Sequence, residues 1–421
     1  MGMKRPIAIL LLVAALGATA LYEYKFPVEL PSFETVYPQL APQQTVIKVP
    51  VLTELGNPTS QRYTAKSANS RNPWDIAVLD GKLYVGSGDY GKNTGPCDMW
   101  QYDPETEQWT STGQVNDEAV ANFEILDGKL IATGTDPKAD WEYGSFYTLT
   151  QDGWQTDRTV PFGVHMFDIA DHKGKRFYAI GTAGCKQSPV QITKDGENYV
   201  NVPFYIDETA LIDNTDYGYF RCYNLFESES ELYAFCYLDS ANRSYGFFKY
   251  DGEAFRLVTP FSDLKLKSKG TNRQVIFNKG IAFNGRFYFS TGYLYSTEDF
   301  TKAEIVPFSN DTYVQDMTVQ DGKMYVLTSK ELKEETVDEN GQPLTLVSYE
   351  NTVWEYYGAD DMTEVYSFEY KQSAMSLEKY GDIYYIGIGK QTDEPATTHD
   401  SPMLLNGNIL RLEFVEKVIT K

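Results

Sequence analysis

Apolar and polar residues alternate in short runs along this chain, and a tight-turn dipeptide breaks most of the runs. LDGKLYVGSGD (Leu79 to Asp89) returns as LDGKLIATGTD (Leu126 to Asp136), and the same outline recurs elsewhere. Seven segments carry it: DIAVLDGKLYVGSG from Asp75, NFEILDGKLIATG from Asn122, DIADHKGKRFYAIG from Asp168, NLFESESELYAFCY from Asn224, KGIAFNGRFYFSTG from Lys279, DMTVQDGKMYVLTS from Asp316 and MSLEKYGDIYYIGIG from Met375. Alternation on both sides of Asp-Gly or Asn-Gly predicts a β-hairpin, because those dipeptides accept the positive φ of a type I′ turn. The turn centres fall at Asp80, Asp127, Lys173, Glu229, Asn284, Asp321 and Tyr380, a repeat of 37 to 59 residues.

A second pattern lies between the hairpins. DGWQTDRTVPF (Asp152 to Phe162), DGENYVNVPF (Asp195 to Phe204), DGEAFRLVTPF (Asp251 to Phe261) and DFTKAEIVPF (Asp299 to Phe308) each set an Asp-led turn before a strand ending in Pro-Phe. Inner and outer hairpin together make a four-stranded blade, which buries its two faces only against neighbouring blades. The expected fold is therefore all-β: a seven-bladed β-propeller of antiparallel blades. Its last blade ends in NGNILRLEFVEKV and lacks an outermost partner, so the strand from Thr45 to Leu52 is expected to close the ring there.

The first residues change the picture of where this happens. Residues 1–20 hold two basic side chains, an apolar run from Pro6 to Leu16 and then Ala18-Thr19-Ala20, the three regions of a secretory signal. That run is shorter than the ~20 residues that span a bilayer comfortably, which favours cleavage over a retained membrane anchor. Residues 21–44 read as a Pro-rich linker and 45–421 as the propeller, so the expected location is secreted, periplasmic or on the cell surface.

A formal charge of -22 argues against nucleic acid or anionic lipid as partner, since both need a basic surface. It is compatible with calcium or a cationic ligand and selects neither. No organic cofactor is indicated, and a monomer is expected. Four cysteines in an exported chain allow two disulfides. Cys222 and Cys236 are the favoured pair; a two-residue turn at Glu229-Ser230 puts them on opposite faces, and a one-residue slip brings them together.

Aligned on their turns, the hairpins place Asp75, Asn122, Asp168, Asn224, Lys279, Asp316 and Met375 in one column. Such a column either rings a ligand in the central channel or ties backbone N–H groups, which Asp and Asn do well. Symmetry breaks at Arg71, Trp74, His165, Arg221, Tyr223 and Arg273, whose mixture of aromatic, cationic and imidazole groups suits a sugar, a peptide or a small anion. Asp89, Asn93 and Asp98, and Asp136, Asp140 and Glu142, lie in loops rich in the oxygen donors calcium prefers, at spacings that fit no EF-hand. His165, His172 and His399 stand at no metal-ligand spacing, and His172, in a hairpin bend, is expected to be exposed. Asp168 and Glu124 on adjacent inner strands, with His165, are the candidate acid and base groups of a glycan-active hydrolase or lyase.

GSGDYGKNTGP (Gly86 to Pro96), GTDPKADWEYGSFY (Gly134 to Tyr147), DGWQTDRTVPFGVHMFD (Asp152 to Asp168) and TKDGENYVNVPF (Thr193 to Phe204) resemble a bacterial exported β-propeller family of kelch and Asp-box (BNR) style. The resemblance spans Trp74 to Phe204 and implies fold and export. It lends no reaction and no catalytic residue. ITKDGENY departs from a true Asp-box, with Ile192 and Thr193 where Ser belongs, and the Asp-box is in any case a structural turn. Together these readings describe an exported module that binds carbohydrate or protein over the channel mouth, with the hydrolase or lyase as the alternative.

Overall fold

The turn dipeptides fold as their chemistry demands. Asp80, Asp127, Lys173, Asn284 and Asp321 take φ of 48° to 52°, and the glycine after each takes 70° to 75°. Both central residues therefore sit in the left-handed region, as a type I′ turn needs. The computed structural model describes residues 44–63, 67, 70–89, 94–182, 188–207, 220–238, 244–267, 280–309, 311–338, 340–358, 361–390 and 401–420. The predicted signal and almost all of the linker lie outside them, as do Asn93, Cys185, Arg273, Lys279 and His399.

All seven predicted hairpins are antiparallel pairs. In order they are Ile76–Leu79 with Lys82–Val85, Asp117–Leu126 with Lys129–Pro137, Gly163–His172 with Lys175–Thr182, Phe220–Glu227 with Leu232–Leu238, Ile281–Phe283 with Arg286–Ser290, Thr312–Gln320 with Lys323–Val337, and Ala374–Tyr380 with Ile383–Ile388. The seventh bend needs correction: Tyr380 pairs Ile383, so the loop is Gly381-Asp382, with Gly381 at φ 57°. Glycine takes the first left-handed position, and Ser376, not Met375, joins the polar column.

The outer strands follow in sequence. Cys97–Asp103 and Gln108–Val115 extend the first hairpin into a four-stranded sheet, and the fifth and sixth hairpins are extended likewise. The second, third and fourth share a 13-stranded sheet, joined by single pairs at His165 with Thr135 and Gly181 with Arg221. Gln44–Gly56 lies beside the final strand, Ile409–Thr420, in a sheet with the seventh hairpin. Two compact units divide the chain: Pro50–Phe414, and Met1–Val49 with Val415–Lys421, whose described residues are ends of those two strands.

Within Pro50–Phe414 the core is a series of apolar layers between successive hairpins. Phe177, Ala179 and Val190 meet Phe220, Leu225 and Ala234, for example, and Tyr325 and Leu327 meet Leu377 and Ile386. One layer joins Ile76, Val78 and Leu83 of the first hairpin to Tyr385 and Ile409 at the end of the chain. The Asp-led turns of the outer hairpins are structural: Asp195 accepts N–H bonds from Glu197 and Asn198, and Asp251 from Glu253 and Ala254, at 2.8 to 2.9 Å. Those donors hold both carboxyls below the usual carboxylate range.

Candidate functional site

A bulge interrupts most of the first strands just before or at the polar column. Register shifts fall between Val120 and Phe123, Met166 and Asp168, Cys222 and Asn224, Val314 and Asp316, and Ala374 and Ser376. An extra residue on one strand re-aims its side chain. Here the extra residues are Ala121 or Asn122, Phe167, Tyr223, Gln315 and Met375, and every one of them lines a single cavity of about 760 Å³.

The column beside the bulges anchors backbone. Asp75 accepts the N–H of Ile76 at 2.9 Å and, across to the second hairpin, that of Phe123 at 2.7 Å. Asp168 does the same with Ile169 and Leu225 of the fourth hairpin, and Asp316 with Met317 and Leu377 of the seventh, all at 2.7 to 2.9 Å. Each carboxylate thus ties its own strand to the next hairpin while still lining the cavity. Asn122 Nδ2 lies 3.2 Å from both Glu124 Oε1 and Asp168 Oδ1, so one amide bridges the two carboxylates predicted as an acid-base pair. Asn224 also lines the cavity.

The symmetry-breaking residues separate. Trp74 is half-buried at the cavity, its indole N–H donating to Gly88 O at 2.9 Å. Phe167 and Tyr223 also face it, their rings 4.7 Å apart. Arg71 does not line the cavity: it is buried, and its guanidinium donates to the carbonyls of Tyr63 and Leu404. His165 lies behind the wall, its ring stacked on Phe167 at 5.4 Å and its Nδ1 3.2 Å from Asp136 Oδ1. Burial, with Arg221 nearby, pushes its pKa down to about 3, so the imidazole is neutral and the Asp136 contact is no ion pair. A side chain at Gly181 would bring a Cβ to 2.8 Å from both rings, so only glycine leaves this stack its space.

His172 corrects its expected exposure. It is 3% exposed, because its place beside the bend turns the ring inward against Phe177 and toward Glu227 Oε1 at 3.3 Å. The calcium candidates do not converge. Asp89 accepts from Ser70 and Thr94, Asp98 from Arg62 and Gln114, Asp136 sits by His165, and Asp140 pairs with Arg158. Among the described residues no group of three or more such ligands is placed to hold a metal ion.

Several lining residues escaped the sequence. Asp171 and Glu227 lie toward the turn end of the cavity, while Glu331, Tyr349 and Lys390 come from later strands and the segment after the seventh hairpin. Seven carboxylates line the cavity, namely Asp75, Glu124, Asp168, Asp171, Glu227, Asp316 and Glu331, against one described cation, Lys390. Lys390 Nζ donates to Tyr349 Oη at 2.8 Å and lies 3.6 Å from Glu331. The lining is thus strongly acidic with aromatic faces set into it, a surface that favours a cation or an amine.

No family model matches the chain, and no curated protein is similar to it in sequence. In structure it is similar to virginiamycin B lyase from Staphylococcus aureus, at 10% identity and TM-score 0.51, covering 87% of this chain and 100% of the other. A catalytically inactive variant of that lyase with quinupristin gives the same identity and coverage at TM-score 0.50. The β-propeller domain of the trilobed protease from Pyrococcus furiosus is 11% identical, covering 68% of this chain and 78% of that one at TM-score 0.38. Virginiamycin B lyase is a β-propeller protein, and a β-propeller fold fits this chain. At these identities the likeness extends to the fold alone.

Proposed function

We propose that this is an exported, seven-bladed β-propeller of kelch and Asp-box-like style, closed by Gln44–Gly56 on the last strand, that binds an amine-bearing carbohydrate in its central cavity. The layer shared by Ile76, Val78 and Tyr385 supports the closed ring. The observation that carries the ligand is the cavity lining: seven carboxylates, one lysine, and the rings of Trp74, Phe167, Tyr223, Tyr313 and Tyr349. Aromatic faces stack on sugar rings, and the acidic wall selects for amino groups and against phosphate or uronate.

Isothermal titration with glucosamine oligosaccharides and their N-acetylated counterparts of equal length tests this. Binding is expected for the free amines alone, to weaken with salt, and to vanish in Trp74→Ala, Tyr223→Ala with the fold intact. Equal binding of the acetylated series would remove the amine preference, and silence in both series, extended to a glycan array, would remove the carbohydrate. Product release that depends on Asp168 or Glu124 would replace a binding module by the hydrolase or lyase.

A protein partner is the second reading, and one observation favours it. In the sixth hairpin's sheet the first strand pairs only as far as Lys330 and the fourth only from Tyr349, so residues 331–338 and 340–348 form a two-stranded arm that no further strand joins among the described residues. Val337, Leu344 and Leu346 are exposed on it. A lone hairpin is marginal in water, and a partner strand or apolar surface would stabilise it. Deleting 332–347 and finding carbohydrate binding unchanged would separate the two readings.

A further inference from the structure

We propose that Cys222 and Cys236 form a disulfide when the chain folds under oxidising conditions. The fourth hairpin turns at Glu229-Ser230, and Glu227 with Leu232 through Asn224 with Phe235 keep the register of that turn. Continued unchanged, it would set Cys222 against Tyr237. The bulge at Tyr223 slips the pairing by one residue, so that Cys222 directly opposes Cys236 and Arg221 opposes Tyr237. Residues directly opposite in an antiparallel pair have Cα atoms about 4.5 to 5.5 Å apart and side chains on one face. That spacing falls inside the range of about 4.4 to 6.8 Å that a disulfide spans.

Both thiols are fully buried in the layer that holds Phe220, Leu225, Ala234 and Phe248, where they touch each other. Cys97 has no cysteine opposite it among the described residues. It opposes Val115, and its thiol donates to the carbonyls of Asp117 and Glu118. Both thiols are closed off from solvent and burial pushes the Cys236 thiol well up, so the exchange belongs to folding, before the layer closes. The chemistry balances with a small-molecule or protein disulfide as oxidant. Two Sγ–H bonds and the oxidant's S–S bond break, the Cys222–Cys236 bond forms, and the oxidant leaves as two thiols carrying both protons and both electrons. The bond would clamp the strand beside the bulge that presents Tyr223 to the cavity and Leu225 N–H to Asp168.

The test uses the full chain, recovered from an oxidising compartment and, separately, refolded with a mixture of oxidised and reduced glutathione. Each sample is denatured and alkylated without reductant, then mapped by mass spectrometry. The expected result is alkylation at Cys97 and Cys185 only, with a Cys222–Cys236 cross-linked peptide and a chain lighter by two hydrogens than the reduced one. Four alkylated cysteines after glutathione refolding, or a cross-link through Cys97 or Cys185, would overturn the pairing. Cys236→Ala keeps a small apolar group in the layer and is expected to give three alkylated cysteines and no internal cross-link; a cross-link persisting in it would also overturn the assignment.

Discussion

Between the fourth and fifth hairpins the molecule is filled with aromatic rings, and between the first and second it is filled in part with hydrogen-bonding groups. In the first of these layers Phe247 stacks on Phe300 at 4.4 Å, with Phe226, Phe235, Phe287 and Phe289 around them, all buried. Phe300 holds a φ of 62°, a left-handed backbone that a bulky residue rarely accepts, and the packing of its ring offsets that strain. In the second layer Asp117 is completely buried, Tyr147 donates its hydroxyl to Oδ2, and Oδ1 accepts no bond among the described residues. A Cβ on Gly134 would meet the same carboxyl at 2.5 to 2.9 Å, so the chain leaves a glycine to house it. One repeat geometry thus accepts two fillings. The aromatic filling stabilises at any pH, whereas the polar one makes stability conditional on protonation.

The largest expected effect sharpens the aromatic side. Phe247→Ala removes a ring from a layer with little room to collapse and should cost about 3–5 kcal/mol of unfolding free energy in a denaturant melt. A loss below about 1 kcal/mol would mean that the layer relaxes around the gap, and the contrast with the polar layer would fail. Next comes the anchoring column. Asp168→Ala leaves the N–H groups of Ile169 and Leu225 without their acceptor and should cost about 2–3 kcal/mol, reduced by whatever water from the cavity supplies. Hydrogen exchange at Leu225 should speed up in that variant. An unchanged Leu225 exchange rate would show that Asp168 is not the anchor of the fourth hairpin.

The hairpins were readable because Asp-Gly and Asn-Gly turns and period-two alternation are local. The bulges were not, since an added residue leaves the alternation intact on either side and becomes visible only against the partner strand. A bulge residue therefore carries no sequence mark as a cavity residue, as with Phe167 and Gln315, whereas Ser376 takes the place of Met375 in the polar column because the seventh bend falls one residue later, at Gly381-Asp382. The Cys222–Cys236 juxtaposition likewise depends on the slip at Tyr223, which the alternation does not carry. Glu331, Tyr349 and Lys390 reach the cavity from strands and loops whose sequence carries no mark of it. A residue next to a bend can still point into the layer between two hairpins, as the buried His172 does.

The last effect concerns the sign of the pH dependence. Burial raises the Asp117 carboxyl to about 7, against about 3.9 in the unfolded chain. The folded state therefore holds the proton more tightly, and this group's contribution is fully present below about pH 4 and is lost as pH rises toward 7, by at most about 1.4 kcal/mol per pH unit. His165 runs the other way: with its folded pKa lowered to about 3, its contribution is present above about pH 6.5 and is lost as pH falls toward 3. Asp117→Asn should therefore flatten the alkaline side of the stability profile between pH 5 and 7 and leave the acid side sloping. His165→Leu should do the reverse, by less, because the imidazole is partly exposed. If Asp117→Asn left the alkaline slope unchanged, the buried carboxyl would not be what makes the polar layer conditional, and the difference between the two layers would reduce to packing alone.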